Sequence, residues 1–277
     1  MATELKRRVI SGVVMAAVVL AATWVGGLAF RGLAAAIALL IHFEWSTITR
    51  LTERNFTGNL VGWVGIILLS ANIAFGDTDM NMPFLGGLAI TMLLIVAIGG
   101  GTWWLPGGVI YAGLSGISLA AIREGGFPGL AAILFVFAVV WATDILAYFV
   151  GRALKGPKLA PRISPGKTWS GAIGGTVSAV IAGSLVGLAV IGVVSPWLAL
   201  IALLLSVASQ IGDLFESFIK RRFAVKDSSH LIPGHGGVMD RVDGLVFACF
   251  AIFLLALAYD ASSGHLGLSV GEFLFGL

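Results

Sequence analysis

Three features of this chain predict an all-α protein that crosses a lipid bilayer about nine times. It is 58% hydrophobic and only 11% charged, it carries apolar runs near the length of a spanning helix, and its basic residues fall on one side of those runs. A soluble domain carries about 25% charged residues, so this composition does not build a water-exposed surface. A spanning helix needs about 20 apolar residues to cross about 30 Å of hydrocarbon.

The first apolar run, 9–27, follows Lys6, Arg7 and Arg8 and so resembles the charged start of a signal peptide. It reads instead as a first span, because further spans follow at once and serve as membrane signals themselves. Runs at 32–49, 59–75, 83–100 and 106–122 come next. Gly99-Gly100-Gly101 and Trp103-Trp104-Leu105-Pro106 separate the last two, as a tight hairpin or a re-entrant segment. The remaining candidates are 127–150, 168–192, 196–217 and 244–260, which makes nine.

With the N-terminus in the cytoplasm, nine spans place 15 of the 17 basic residues inside and only Arg31 and Arg123 outside. That is the bias expected of short cytoplasmic loops, and it predicts an outside C-terminus. The 277 residues leave no room for a large soluble domain, so 1–277 reads as a single membrane domain. Residues 1–126 are mainly apolar spans with bland loops, whereas 127–260 hold the chemistry-bearing helices and loops. Cys249, the only cysteine, has no disulfide partner in the chain and reads as a small buried hydrophobe.

In the eighth span Ser206, Gln210, Asp213 and Ser217 recur at helical spacing and share one face. Interhelical hydrogen bonding accounts for Ser206 and Gln210. It does not account for Asp213, since an ionisable group in a membrane helix needs a partner, water or a metal and is by default functional. Glu216, off that face, reads as the partner of a nearby base. The sixth span ends in Asp144, Tyr148 and Gly151, again one face. Asp144 reads equally as a structural partner of Arg152 or as a substrate or metal residue.

The basic loop that follows runs through Arg152, Lys155 and Lys158 to Ser164-Pro165-Gly166-Lys167-Thr168, directly before a helix. Its charges satisfy the inside rule without any ligand, while its glycine, lysine, hydroxyl and helix-start amides suit a phosphate. Gly171 and Gly175 in the next span read as a close-packing face.

Composition changes abruptly over 217–244, where five bases and three acids surround Pro233-Gly234-His235-Gly236-Gly237. Cations for phosphate oxygens, carboxylates for a hard metal and glycines that allow close backbone approach are what phosphoryl or nucleotidyl transfer requires. Asp240 and Asp243, three apart at a helix start, share a face and are expected to meet Asp213 across a cytoplasmic cleft. His235 reads as a base or as a hydrogen-bonding, positioning group.

This segment resembles the phosphatidate cytidylyltransferases, also called CDP-diacylglycerol synthases. The residues that carry the resemblance are Ser217, Lys220, Arg221, Lys226, Asp227, Ser229, Pro233, His235, Gly236, Gly237, Asp240, Arg241 and Asp243. It extends upstream to Asp144, Tyr148, Gly151, Arg152, Ser164, Pro165, Lys167, Thr168 and Trp169, so it covers roughly the C-terminal half. The chain departs from the family pattern at Gly166, where a lysine is expected, and at Ser170, where a glutamate is expected.

The resemblance implies transfer of CMP from CTP to phosphatidic acid, giving CDP-diacylglycerol and pyrophosphate. It implies Mg²⁺ on Asp213 and Asp240, with Asp243 beside them and room for a second cation. Asp227 joins this catalytic group, with Lys220, Arg221, Lys226 and Arg241 on the triphosphate and lipid phosphate. Ser164, Lys167 and Thr168 would close the site, Asp144, Ser217 and His235 would line it, and Gly236 and Gly237 would bring backbone amides close. Expected partners are CTP, phosphatidic acid, membrane lipids and a second copy of the chain, with no nucleic acid. The expected location is a bacterial plasma (inner) membrane, with the active site facing the cytoplasm.

Two other readings are an ion-coupled transporter, with Asp144 and Asp213 on the ion path, and a CDP-alcohol phosphotransferase, suggested by Asp240-Arg241-Val242-Asp243-Gly244. The continuation that the second requires is absent from 245–258.

Overall fold

Hydrocarbon offers the backbone no hydrogen-bonding partner, so a chain this apolar satisfies its amides internally by forming helices. The computed structural model describes residues 2–263 and 267–277 and is built almost wholly of them. In order they are α1 (Ala2–Val25), α2 (Gly27–Ile48), α3 (Leu51–Arg54), α4 (Phe56–Phe75), α5 (Asn81–Gly99), α6 (Trp104–Arg123), α7 (Gly126–Leu154), α8 (Trp169–Ile191), α9 (Pro196–Arg222), α10 (Met239–Ser263) and α11 (Val270–Phe275). A 3₁₀ turn, Thr78–Met80, precedes α5, and a hairpin of β1 (Lys158–Ala160) and β2 (Ser164–Thr168) lies between α7 and α8.

Among the described residues nine helices are long and apolar enough to span a bilayer, matching the nine predicted runs. The junction between the fourth and fifth runs separates two full helices, with Gly100 at φ 71° closing the first. Observed ends overshoot the predictions at Leu154, Arg222 and Met239. Helical hydrogen bonding continues through interfacial charged residues, whereas an apolar run stops at them. The hairpin, α3 and α11 are not legible as apolar runs.

The chain divides into two compact units, one of Met1–Ala120 with Phe223–Arg241 and the other of Ala121–Arg222 with Val242–Leu277. The Gly-rich segment before α10 therefore packs with the N-terminal helices.

In the first unit α6 is the central helix, and Trp45 of α2 organises its start. The Trp45 indole donates to the Trp104 carbonyl at 2.8 Å, and its ring packs on Trp104 and Tyr111. Gly116 of α6 sits against Ala38 of α2 and Ile73 of α4. Arg31 donates to the carbonyls of Ile73 at 2.6 Å, Asn72 at 3.3 Å and Gly76 at 2.6 Å, closing the C-terminal end of α4. A cation there satisfies orphan carbonyls and meets the negative end of the helix dipole.

In the second unit α8 packs along α7 through its small residues. Gly171 lies against the Ala147 carbonyl and Gly175 against that of Thr143, while Gly183 faces Ala202 of α9. Without a hydrophobic drive between helices in lipid, close approach through small residues supplies the contact. Thr143 donates to Ser206 at 2.8 Å, and Gln210 donates to Thr176 at 2.9 Å, so Ser206 and Gln210 on the polar face of α9 make interhelical bonds as expected. Arg123 donates to the Gly126 carbonyl at 3.1 Å. Cys249 is buried.

Candidate active site

The second unit holds a cleft of about 870 Å³ formed by the ends of α7 and α9, the hairpin and the start of α8. Asp144, Tyr148 and Gly151 line it from α7, Gln210 and Asp213 from α9, and Ser164, Lys167 and Thr168 from the hairpin. Arg152, Lys155 and Lys158 complete the rim, so four bases face two carboxylates. That excess of positive charge suits a polyanion.

Each placement has a local cause. Lys167 forms an ion pair with Asp213, tying the hairpin to α9. Thr168 caps α8 by accepting from the Gly171 amide at 3.2 Å, so its hydroxyl holds the helix start. Arg152 bonds to the Tyr148 hydroxyl and lies over its ring, which leaves Asp144 with no ion pair among the described residues. Asp144 is exposed to the cleft and lies within electrostatic reach of Asp213, Asp243 and Lys167. Ser217 contacts Asp213 at 3.4 Å. Asp243 lies beside Glu216, which in turn pairs with Lys220 at 3.4 Å.

The two departures from the expected pattern also have places. A side chain at Gly166 would project into open space, while the Ser170 hydroxyl donates to the Lys155 carbonyl beyond the end of α7.

The first unit contains a separate cluster around the segment before α10. The Asp240 Oδ2 accepts from the Ser228 amide at 2.8 Å, the Ser228 hydroxyl at 2.8 Å and the Gly237 amide at 2.9 Å. The Gly237 amide is thus bonded within the protein. Gly237 has no room for a β-carbon, which would strike the Ser228 hydroxyl and the Glu44 carboxylate. Gly236, at φ 84°, occupies the left-handed region that glycine tolerates best. His235 Nδ1 lies 2.9 Å from the Ser11 hydroxyl of α1, a positioning contact. Lys226, Asp227 and Arg241 are exposed, as is Arg221 at the end of α9.

Sequence reasoning passed over Glu44 and Ser228. Glu44 is fully buried in α2 and accepts from Ser228, Ser229, Val238 and Met239. The rule that singles out Asp213, an ionisable group inside an apolar span, applies equally to Glu44.

Among the described residues no three His, Cys, Asp or Glu side chains form a ready-made metal shell. Mg²⁺ requires less, since it takes one or two carboxylates and completes its octahedron with water and phosphate oxygens. Asp144, Asp213 and Asp243 lie within electrostatic reach of one another in one unit and are hard oxygen donors of the kind such an ion takes.

The family model described as the cytidylyltransferase family matches residues 6–259. A phosphatidate cytidylyltransferase of Brucella abortus is 45% identical over 260 residues, covering 93% of this chain and 95% of that protein. The phosphatidate cytidylyltransferase of Bacillus subtilis is 35% identical, covering 92% of this chain and 98% of that protein. That of Haemophilus influenzae is 33% identical, covering 91% and 100%. With a match over nearly its whole length and a cleft rich in phosphate-binding chemistry, this chain belongs to the cytidylyltransferase family.

Proposed function

We propose that this chain is an integral membrane phosphatidate cytidylyltransferase that transfers CMP from CTP to phosphatidic acid. Beside the family match, the reading rests on one observation: the cleft gathers Arg152, Lys155, Lys158 and Lys167 around Asp144 and Asp213 at helix ends, where an amphiphile's phosphate would lie.

In the reaction, a phosphate oxygen of phosphatidic acid attacks the α-phosphorus of CTP. The new P–O bond forms as the α–β bridging bond breaks, and pyrophosphate leaves with that electron pair. No general base is required, because a phosphomonoester with a second pKa of about 6 is largely ionised near neutral pH. The obstacle is repulsion between two polyanions, which the basic rim offsets. Lys167, held by Asp213, is poised at the reacting phosphates, and Arg152, Lys155 and Lys158 draw the triphosphate in. Lys220, Arg221, Lys226 and Arg241 are proposed as further phosphate contacts, with Ser164 and Ser217 at the edges.

Asp213 is the proposed first ligand of Mg²⁺, and Asp240 remains the second on the strength of the sequence pattern. Asp243, Asp227 and a second cation are secondary to these. The ion's contribution would be to neutralise phosphate charge and polarise the α-phosphorus.

We further propose that the N-terminus and the active site face the cytoplasm of a bacterial inner membrane and that two copies associate. The orientation is supported by the one-sided basic charge. The two exceptions, Arg31 and Arg123, are bound to backbone carbonyls.

Detergent-purified protein given CTP, phosphatidic acid and Mg²⁺ should form CDP-diacylglycerol and pyrophosphate, and omitting any one of the three should abolish both. An inactive protein across a range of phosphatidic acids and divalent ions would refute the assignment.

A further inference from the structure

Glu44 is wholly buried, and no basic side chain pairs with it among the described residues. A buried carboxylate without a cation survives only when its oxygens are saturated with donors. Here Oε1 accepts from the Ser229 hydroxyl and the Val238 amide, both at 2.7 Å. Oε2 accepts from the Ser228 hydroxyl at 2.9 Å and the Met239 amide at 2.7 Å.

These four donors lie at the two ends of one segment. Ser228 and Ser229 enter it, and Val238 and Met239 leave it into α10. Between them the chain turns on Pro233, Gly234, His235 and Gly236, with a single bridge from Ile232 to Gly236. Glu44 therefore fastens both ends of this loop to α2. Val238 and Met239 also present amides at the start of α10, where helix donors lack internal partners and the dipole favours an anion.

Ser228 carries the constraint one step further. Its hydroxyl lies 2.9 Å from Glu44 Oε2 and 2.8 Å from Asp240 Oδ2, yet it has one proton to donate. Its backbone amide and that of Gly237 hold the same oxygen of Asp240. The orientation of Asp240 is thus set by a segment that Glu44 clamps.

We propose that Glu44 is a positioning residue for the transfer reaction, holding the loop 228–239 and the start of α10 so that Asp240 keeps its working orientation. The inference rests on the cytidylyltransferase reading and gives the apolar N-terminal half a part in positioning the chemistry.

Glu44→Gln tests it, because glutamine keeps the shape but offers one acceptor oxygen in place of two and turns an NH₂ toward two of the four donors. In monodisperse detergent-purified protein, kcat should fall about 30-fold or more while the KM for CTP stays within about threefold. Hydrogen exchange should quicken in peptides covering 228–240 and stay unchanged across the rest of α10. Ser229→Ala, which removes one donor and leaves the charge in place, should shift both readouts the same way by a smaller amount, about threefold in kcat.

The proposal is overturned if loop exchange quickens while kcat stays within twofold of the parent, since Glu44 is then structural only. Unchanged exchange in Glu44→Gln overturns it as well. Should Glu44→Gln not fold, Ser229→Ala decides alone, and parental values in both measurements reject the idea. An inactive parent would refute the reaction itself, whereas an active parent with an active Glu44→Gln variant refutes only the positioning role.

Discussion

In the first unit six donors from the loop before α10 and that helix's first residue, four amides and two hydroxyls, surround the Glu44 carboxylate and one oxygen of Asp240, the Ser228 hydroxyl being shared between them. In the second unit Asp144 has no ion pair among the described residues, Asp213 has one lysine, and both open onto a cleft. The first arrangement is saturated and stores geometry. The second is undersatisfied and keeps carboxylate and ammonium groups available to a ligand. Carboxylates within spanning helices thus differ between the two units, and the number of donors each receives separates them.

The largest expected effect falls on the open cluster. Asp213→Asn should cost about a thousandfold in kcat/KM, about 4 kcal/mol of transition-state stabilisation, with little change in melting temperature. Asp240→Asn should cost as much activity and also lower the melting temperature, since its carboxylate holds Ser228 and Gly237. Equal melting temperatures for the two variants would erase the distinction between the clusters.

Lys167→Met should reduce kcat/KM about a hundredfold, and Lys167→Arg should recover part of it by keeping the charge near Asp213. Gly237→Ala probes the saturated side. With no space for the added methyl, it should destabilise by about 1–3 kcal/mol and lower activity at least tenfold, read by thermal unfolding and product formation.

Thr143→Val removes a bond to Ser206 between two spanning helices and should cost only about 0.6 kcal/mol, with activity retained. The smallest effect is expected at Glu272, outside the spans, where hydrogen bonds from the Ser269 side chain and amide hold the carboxyl below its ordinary value. A depressed folded-state pKa stabilises above the unfolded pKa and loses that contribution as pH falls through the folded one. The stability gap between parent and Glu272→Gln should therefore be slight near neutrality and vanish in acid.

Asp213 was legible as a candidate site residue because an aspartate inside an apolar run has few structural explanations. Its partner Lys167 was legible only as a member of a basic loop. Thr168, expected at phosphate, caps α8, and Gly237, expected to present an amide to phosphate, gives that amide to Asp240. Each lies in a stretch whose composition suits phosphate, and composition does not reveal which polar groups the protein also uses itself. Glu44 was overlooked because residues 1–126 read as bland, although its setting is that of Asp213.

The sequence by itself determined the fold class and the nine spans. These follow from local quantities, apolar length, helical period and charge, that need no knowledge of what packs against what. Tertiary structure decided which carboxylates are saturated and which stay open, that 223–241 packs with the N-terminal helices, and that Glu44 clamps a loop more than 180 residues away. Those outcomes depend on hydrogen bonds between distant segments. A buried charge takes whichever donors the fold brings to it, and no spacing along the chain encodes that choice.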